Sequence, residues 1–310
     1  MTDRSNPETF CFEHHAMLGT MIDVRVGADD EVTADAADER VAAEIIRLES
    51  VFSAYDEGSE LCRWRRGEVK VPSPEFAELM GRALEWHVGS NGGFNPLVGE
   101  LSGLWQRAET MGSPPSEAQL AAVVAAIRAP RYEMGDGAPV SVGDCSALNL
   151  NAIAKGYIVD RALDSGLADG ITWVSVNAGG DLAIRGSGAV RAGIENPHRP
   201  YDNEPPLTLI ELAEAALATS GDARRGFRVG GRWFGHVLDP RTGWPVERIA
   251  SISVVAGDAM TADVLATVAG VMTAAEGVEF LDGIEGAEGL VVDRDGEQWV
   301  TRGWSRLVVN

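Results

Sequence analysis

Three polar segments between residues 218 and 267 carry side chains that are suited to chemistry. Residues 219–222 read Thr-Ser-Gly-Asp and are predicted to form a turn that presents hydroxyls and a carboxylate. His236 stands just before an Asp-Pro-Arg-Thr-Gly turn. Asp263 and Thr267 open an apolar helix, and their spacing of four residues places both on one helical face. Two oxygen ligands near a helix start suit a hard cation such as Mg²⁺, which often bridges phosphates.

Each of these residues also has a structural explanation. His236 could be a hydrogen-bonded structural group, and Asp263 and Thr267 could be a helix cap and a satisfied core hydroxyl. The Asn-Ala-Gly-Gly-Asp segment at 177–181 could cradle a phosphate or a flavin through its backbone amides, but most such turns only reverse the chain. Lys155 could meet phosphates or flavin carbonyls, although a lysine is more often a solvated charge. For any one residue taken alone, the structural explanation is favoured.

The composition limits the class of protein. With 310 residues, 45% hydrophobic and 24% charged, the chain has the composition of a globular protein with a real core. Its formal net charge of −21 argues against broad binding to nucleic acid or to anionic membranes. Cys11, Cys62 and Cys145 are widely spaced and form no CxxC pair, which argues against a disulfide framework or a zinc site. Without a secretory signal or a membrane-spanning apolar run, the expected location is cytoplasmic.

The elements that must position these side chains follow from periodicity and capping signals. Apolar residues alternate from Met21 to Val26, which predicts a strand, and they recur at helical spacing from Val32 to Phe52. Ser116 and Gln119 predict a capping box for a helix that ends near Arg128. Strands in runs, with helices placed irregularly between them, favour an α+β fold over an alternating Rossmann chain. Further predicted helices cover residues 74–88, 153–163 and 259–275, and further strands cover 146–150, 172–176, 207–212, 228–229, 233–238, 249–255, 289–293 and 298–301.

Eight ordered blocks, which together span nearly the whole chain, resemble the ApbE family of FAD:protein FMN transferases. The blocks are MLGT ending at Thr20, SAY at 53–55 with SEL at 59–61, GFNPLVG at 93–99 with LW at 104–105, LNAIAKGYIVD at 150–160, NAGGD at 177–181, TSGD at 219–222, GHVLDPRTGWPV at 235–246 and ADVLAT at 262–267.

The resemblance implies an α+β, T-fold-like architecture with mixed or antiparallel sheets and flanking helices. It further implies one domain over 1–310, built of two interlocked subdomains with FAD between them. The family cleaves the FAD pyrophosphate, attaches FMN through a phosphoester to a Thr or Ser of a target protein and releases AMP. Carried over by motif, Mg²⁺ would be held by Asp263, Thr267 and the main-chain oxygen of Ala152, and His236 would be the general base. The flavin contacts carried over are Met17, Tyr55, Asn149, Lys155, Gly180, Asp181, Ser220 and Leu238.

The chain departs from the family pattern at several positions. Asn95 and Leu97 replace an Asp and a Thr, Asn149 replaces an Asp, and Ala223 stands where the family often has an aromatic residue. Two alternatives to the transferase stay open: an FAD pyrophosphatase, in which water replaces the acceptor hydroxyl, and a flavin-binding carrier or sensor that has lost transfer. The retained metal residues and histidine favour an enzyme, whereas Asn95 and Asn149 favour binding alone.

Overall fold

An eight-stranded antiparallel sheet forms the centre of the computed structural model, which describes residues 8–200, 203–221 and 226–309. The strands, in chain order, are β1 (Glu8–Met17), β2 (Thr20–Ala28), β3 (Tyr132–Gly135), β4 (Ala138–Ser141), β5 (Ile171–Ala178), β6 (Asp181–Gly186), β7 (Val190–Ile194), β8 (Thr208–Leu212), β9 (Ala216–Gly221), β10 (Gly226–Val229), β11 (Arg232–Gly235), β12 (Ile249–Ala256), β13 (Glu288–Asp293), β14 (Gln298–Val300) and β15 (Val308–Val309).

The large sheet has the strand order β1-β2-β5-β6-β9-β12-β13-β14. A three-stranded sheet, β15-β8-β7, and the hairpins β3-β4 and β10-β11 complete the strands of the described residues. The helices are α1 (Glu31–Phe52), α2 (Glu60–Arg65), α3 (Pro74–Gly89), α4 (Gly99–Met111), α5 (Glu117–Ile127), α6 (Asn151–Gly166), α7 (Ala259–Gly270) and α8 (Ala274–Asp282), with a 3₁₀ turn at Trp304–Arg306.

Both faces of the central sheet are covered, so its strands do not show a single polar face. On β5, Val174 and Val176 belong to the main core under the helices, whereas Trp173 belongs to a smaller core shared with β7 and β8. Helices α1 and α6 pack over β2 and β5, and α7 packs over β9 and β12. The helix-covered face is the one that brings α6 and α7 together.

Local signals set the helix ends. The predicted capping box of α5 is confirmed, with the Ser116 and Gln119 side chains each bonded to the backbone of the other residue. A second capping box, from Thr273 and Glu276, starts α8. The prediction of one helix over 259–275 was therefore wrong at its end: α7 ends at Gly270, and a separate helix begins four residues later, at Ala274.

Two other predicted elements were wrong. Residues 146–150 form a turn and irregular backbone instead of a strand, because Asn149 uses its side chain to start α6. Residues 219–221 belong to strand β9 and not to a turn, since they pair with Ser251–Ser253 of β12. Asp222 and Ala223 lie outside the described residues. The predicted α+β class with antiparallel sheets is confirmed. No helix among the described residues has the length and apolar content that a membrane span requires.

Candidate active site

Three charged side chains meet where α6, β6 and α7 come together. The Lys155 ammonium lies 2.5 Å from Asp181 Oδ2, and the Thr219 amide donates to Asp181 Oδ1 at 3.4 Å. Asp263 is close enough for the Asp181 charge to raise its pKa and for Lys155 to lower it. Asp181 and Asp263 are both buried, so their charges act on each other with little screening by water. The structure therefore joins three of the sequence-predicted residues in one cluster.

Asp263 is the least satisfied member of this cluster. Burial first, and then the neighbouring Asp181 carboxylate, raises the pKa of Asp263 to about 8, although Lys155 and the Gly156 amide act in the opposite direction. Asp263 Oδ2 is buried and has no hydrogen-bond partner among the described residues. A buried carboxylate with an unpartnered oxygen is costly unless a cation or a proton compensates it.

The surroundings of Asp263 fit a hard cation. Ala152 has φ −86° and ψ 15°, outside helical values although it lies in the first turn of α6. The Gly156 amide, one turn after Ala152 on α6, is close enough to Asp263 to lower the pKa of that carboxyl. Thr267 is half-buried one turn after Asp263 on α7. Carboxylate, carbonyl and hydroxyl oxygens are the donor types that Mg²⁺ prefers, and the described residues contain no group of three His, Cys, Asp or Glu that could replace them.

A close crossing of two helices brings Lys155 and Asp263 together. A Cβ atom on Gly156 would lie 2.3 Å from the Ala259 carbonyl oxygen, so only glycine permits this approach. One turn further along α6, Asp160 accepts hydrogen bonds from the Ala259 and Met260 amides, each at 2.9 Å. These two amides are at the start of α7 and have no partner within that helix. Asp160 therefore fixes the end of α7 that leads to Asp263.

Asp160 is a residue of the candidate site that sequence reasoning missed. Burial raises the pKa of Asp160 to about 6, while the two α7 amides and Arg185 lower it. Gly156 and Asp160 lie four residues apart and so share a helical face. A glycine and a carboxylate on one face of α6 could have indicated a close contact with another helix, but the sequence around them does not identify α7 as that helix.

Met17 and Gly180 lie at neighbouring turns on one end of the sheet. Met17 is the last residue of β1, directly before the β1–β2 turn, and the β5–β6 turn contains Gly179 and Gly180 with φ of +62° and +102°. A Cβ on Gly179 would be 2.5 Å from Thr20 Oγ1, so the two turns are in contact. The Gly180 amide donates to Asn177 Oδ1 at 3.0 Å. Two predicted flavin contacts are thus placed beside Asp181.

Tyr55 and Asn149 meet at the start of α6. Asn151 Nδ2 donates to the Tyr55 hydroxyl at 3.0 Å, and the Asn151 amide donates to Asn149 Oδ1 at 2.8 Å. Tyr55 is 83% exposed, so its ring is open to a planar ligand. The Asn149 carbonyl-type oxygen performs the local turn contact that an Asp would perform, without the negative charge.

His236 and Leu238 follow strand β11, in a second part of the candidate site. His236 is exposed, whereas Leu238 is buried and bridges to Pro245. The turn that follows Leu238 is closed by the Gly243 amide, which donates to the Asp239 carbonyl at 2.7 Å. Arg241 links this turn to α7, because its Nη2 donates to the Val271 carbonyl at 2.6 Å. Ser220 is half-buried on β9, opposite Ile252 of β12.

Asn95 has a structural role that its family position did not suggest. Its side chain is buried, its Nδ2 donates to the Ile127 carbonyl at 2.9 Å and its Oδ1 accepts from the Leu97 amide at 2.8 Å. A carboxylate could not donate to the Ile127 carbonyl. The Asn95 amide therefore holds the end of α5 in place.

Comparison with known proteins identifies the family of the chain. The family model described as the ApbE family matches residues 18–291. The chain is 28% identical to a protein named FAD:protein FMN transferase from Haemophilus influenzae, over 81% of this chain and 77% of that one. It is 31% identical to a protein of the same name from Vibrio cholerae, over 70% and 67%. The crystal structure of an ApbE protein from Thermotoga maritima superposes with a TM-score of 0.83 and 26% identity, over 98% of this chain and all of that one. The chain belongs to the ApbE family.

Proposed function

We propose that this chain is a Mg²⁺-dependent FAD:protein FMN transferase. It would cleave the FAD pyrophosphate, attach FMN through a phosphoester to a Thr or Ser hydroxyl of an acceptor protein and release AMP. The observation that carries the proposal is the buried Asp263, whose unpartnered Oδ2 lies beside the Lys155–Asp181 pair. The relatives that match over two thirds of both chains bear this activity in their names, which supports the same assignment.

Asp263, Thr267 and the Ala152 carbonyl would hold the metal. When bound, Mg²⁺ neutralises charge on the pyrophosphate oxygens. Asp263 would bind the metal in its ionised form, and a bound cation would add to the Lys155 ammonium in favouring that form, against the burial and the Asp181 charge that raise its pKa. Asp181 in turn fixes the ammonium at 2.5 Å. Because the chain has a net charge of −21, the bound cation and the Lys155 ammonium would be needed to attract an anionic substrate.

The Lys155 side chain is one third exposed, and its ammonium would contact a phosphate while it remains paired with Asp181. Phosphoryl transfer depends mostly on positioning and on charge neutralisation, and a held ammonium contributes to both. The flavin ring would lie against the open face of Tyr55, with Met17 and the Gly180 backbone at its edge. This assignment accounts for an exposed aromatic side chain at the start of α6.

His236 would accept the proton of the acceptor hydroxyl. As the hydroxyl oxygen bonds to the FMN phosphorus, the bond from that phosphorus to the bridging pyrophosphate oxygen breaks, and AMP leaves with the bridging oxygen. The proton passes to a neutral imidazole nitrogen of His236. Its exposure favours contact with a hydroxyl that arrives on a second protein.

Product analysis tests this proposal. The protein is incubated with FAD, Mg²⁺ and Thr-containing acceptor peptides, and the products are identified by mass spectrometry. AMP together with an FMN-modified peptide is the expected result. AMP with only free FMN would identify a pyrophosphatase, and unchanged FAD would identify a flavin-binding protein; either result would overturn the transferase assignment.

A further inference from the structure

A groove of about 700 Å³ separates helix α5 from the turn that follows His236. Ala121, Ala125 and Arg128 line it from the helix, and Thr242 and Trp244 line it from the turn. The volume is within the range of about 300–1,000 Å³ that is usual for ligand sites. The groove contains none of the predicted metal or flavin residues, so it is a separate surface.

Helix α5 exposes apolar side chains along this groove. Of its residues, only Leu120 and Ile127 are buried, although its sequence after Gln119 is apolar throughout. Trp244, on the opposite wall, is 38% exposed. A helix that is apolar on nearly all sides is normally buried, and an exposed apolar surface commonly marks an interaction site. This wall is therefore suited to contact with another polypeptide.

Contacts within the protein hold both walls of the groove in place. Its helix is fixed at one end by Asn95 Nδ2, which donates to the Ile127 carbonyl at 2.9 Å, and by His87 Nε2, which lies 3.3 Å from the Arg128 carbonyl. Its floor is packed, because a Cβ on Gly243 would lie 3.0 Å from Leu120 Cδ2. A preformed surface binds with a smaller loss of conformational entropy.

One wall of the groove belongs to the loop that carries the candidate general base. Its turn wall starts three residues after Leu238 and belongs to the same loop as His236. Arg241, which also lines the groove, donates to the carbonyl of Val271 at the end of α7. Val271 follows Thr267 by four residues, so it lies one turn further along the helix. A chain segment in the groove would run beside the loop of the candidate base and toward the metal-binding helix.

The groove has a basic end in an acidic chain: Arg128 lines it at the C-terminal end of α5, whereas Glu117 lines it from the first turn of that helix, roughly 16 Å away along the helix. The Arg128 guanidinium has no hydrogen bond or ion pair with any residue in the described ranges, and Arg241 lies on the facing wall, paired with Asp239. With 26 basic against 47 acidic residues in the chain, an uncompensated arginine in an apolar groove is selective for an anionic group. We propose that the groove binds the acceptor protein through a short apolar segment that places a carboxylate against Arg128 and its Thr or Ser hydroxyl beside His236. This inference rests on the proposed transferase function.

A peptide library tests the proposal. Each peptide has a central Thr among Ala and Leu residues, and Asp, Lys or Ala occupies each flanking position in turn. FMN adducts are counted by mass spectrometry, while AMP release and FAD binding are measured separately. Wild type should modify the best Asp-flanked peptide roughly fivefold faster than its Lys counterpart, and Arg128→Glu should reverse that preference. Ala125→Trp, which fills the groove from an exposed position, should reduce all adducts roughly tenfold or more with unchanged FAD binding.

Arg107→Glu is the matched control, because Arg107 is an exposed arginine on the neighbouring helix α4 and outside the groove. It should behave as wild type. An unchanged Asp preference in Arg128→Glu, or unchanged transfer in Ala125→Trp, would overturn the groove assignment. AMP release without any peptide adduct would overturn the transferase assignment, and the groove would then be decided by the binding measurement that follows.

A binding measurement separates the groove from the chemistry. Fluorescence anisotropy measures the binding of a labelled Asp-flanked peptide to the protein and does not require FMN transfer. Binding to wild type that is weakened by Arg128→Glu and by Ala125→Trp supports the groove even if no FAD is consumed, in which case only the proposed function fails. Absence of binding to wild type overturns the groove.

Discussion

Gly156 of α6 lies directly against Ala259 of α7, so that an added Cβ would approach the Ala259 carbonyl oxygen to 2.3 Å. No side chain separates the two helices at this point. This contact sets the distance between Lys155, which precedes Gly156, and Asp263, which follows Ala259 by one turn. The geometry of the charged cluster thus depends on a position that carries no chemical group.

Gly156→Ala should separate the helices and destabilise the protein. Overpacking of a closely packed site costs roughly 1–3 kcal/mol, and the nearest atoms here are backbone, which cannot rotate away. The control is Gly81→Ala in the interior of α3, where the nearest atom to a new Cβ is Met134 Cε at 3.7 Å. It should be neutral or stabilising by up to about 1 kcal/mol. Denaturant unfolding measures both, and equal stability of the two variants would contradict the account.

Asp160 should make stability depend on pH between about 4 and 6. Its pKa is raised from 3.8 to about 6 in the folded protein. Below pH 4 the Asp160 carboxyl is protonated in both the folded and the unfolded protein. Between pH 4 and pH 6 it is ionised in the unfolded protein but still largely protonated in the folded one, so the free energy of unfolding falls as the pH rises. The loss is at most about 3 kcal/mol. The measurement is the Tm of wild type minus that of Asp160→Asn, which should decrease from pH 4 to pH 7; a difference independent of pH would show that Asp160 does not titrate in this way.

The residues that the sequence could identify are those whose relation is local. Asp263 and Thr267 are one helical turn apart, and Ser116 and Gln119 form a capping box, so each pair follows from spacing alone. The contact of Asp160 with the Ala259 amide joins residues about one hundred positions apart, and no periodicity encodes it. The strand at residues 219–221 was missed for a related reason, because Thr-Ser-Gly is turn-like in isolation and becomes a strand only by pairing with β12.

His236→Ala should reduce transfer by roughly 10²–10⁴-fold, the usual contribution of a positioned general base. FAD affinity and Tm should change little, because His236 is exposed. The acidic limb of the pH–rate profile should also disappear in the variant. His236→Gln distinguishes a general base from a structural hydrogen-bonding residue, because glutamine can still hydrogen-bond but cannot act as a base near neutral pH. An active His236→Gln enzyme with the wild-type pH–rate profile would exclude the general-base role.

Tyr55→Ala should weaken flavin binding roughly 2- to 10-fold, the usual effect of one aromatic contact, and Tyr55→Phe should not. FAD should bind more tightly than FMN to all three proteins, because the site must also hold the adenosine half. Titration of the flavin-free protein with each flavin, followed by fluorescence, gives these affinities. Equal affinity of wild type for FAD and FMN would exclude an adenosine site.

The role of Asp263 as a metal ligand is tested most directly by titrating Mg²⁺ into wild type and Asp263→Asn, each saturated with FAD, in a calorimeter. The titration requires no turnover, and the Asn variant keeps the shape and size of the side chain while it removes the charge. The account predicts one Mg²⁺ per wild-type chain, a large loss of affinity in Asp263→Asn, and FAD binding that is similar in both. Equal Mg²⁺ affinity in the two proteins would contradict it.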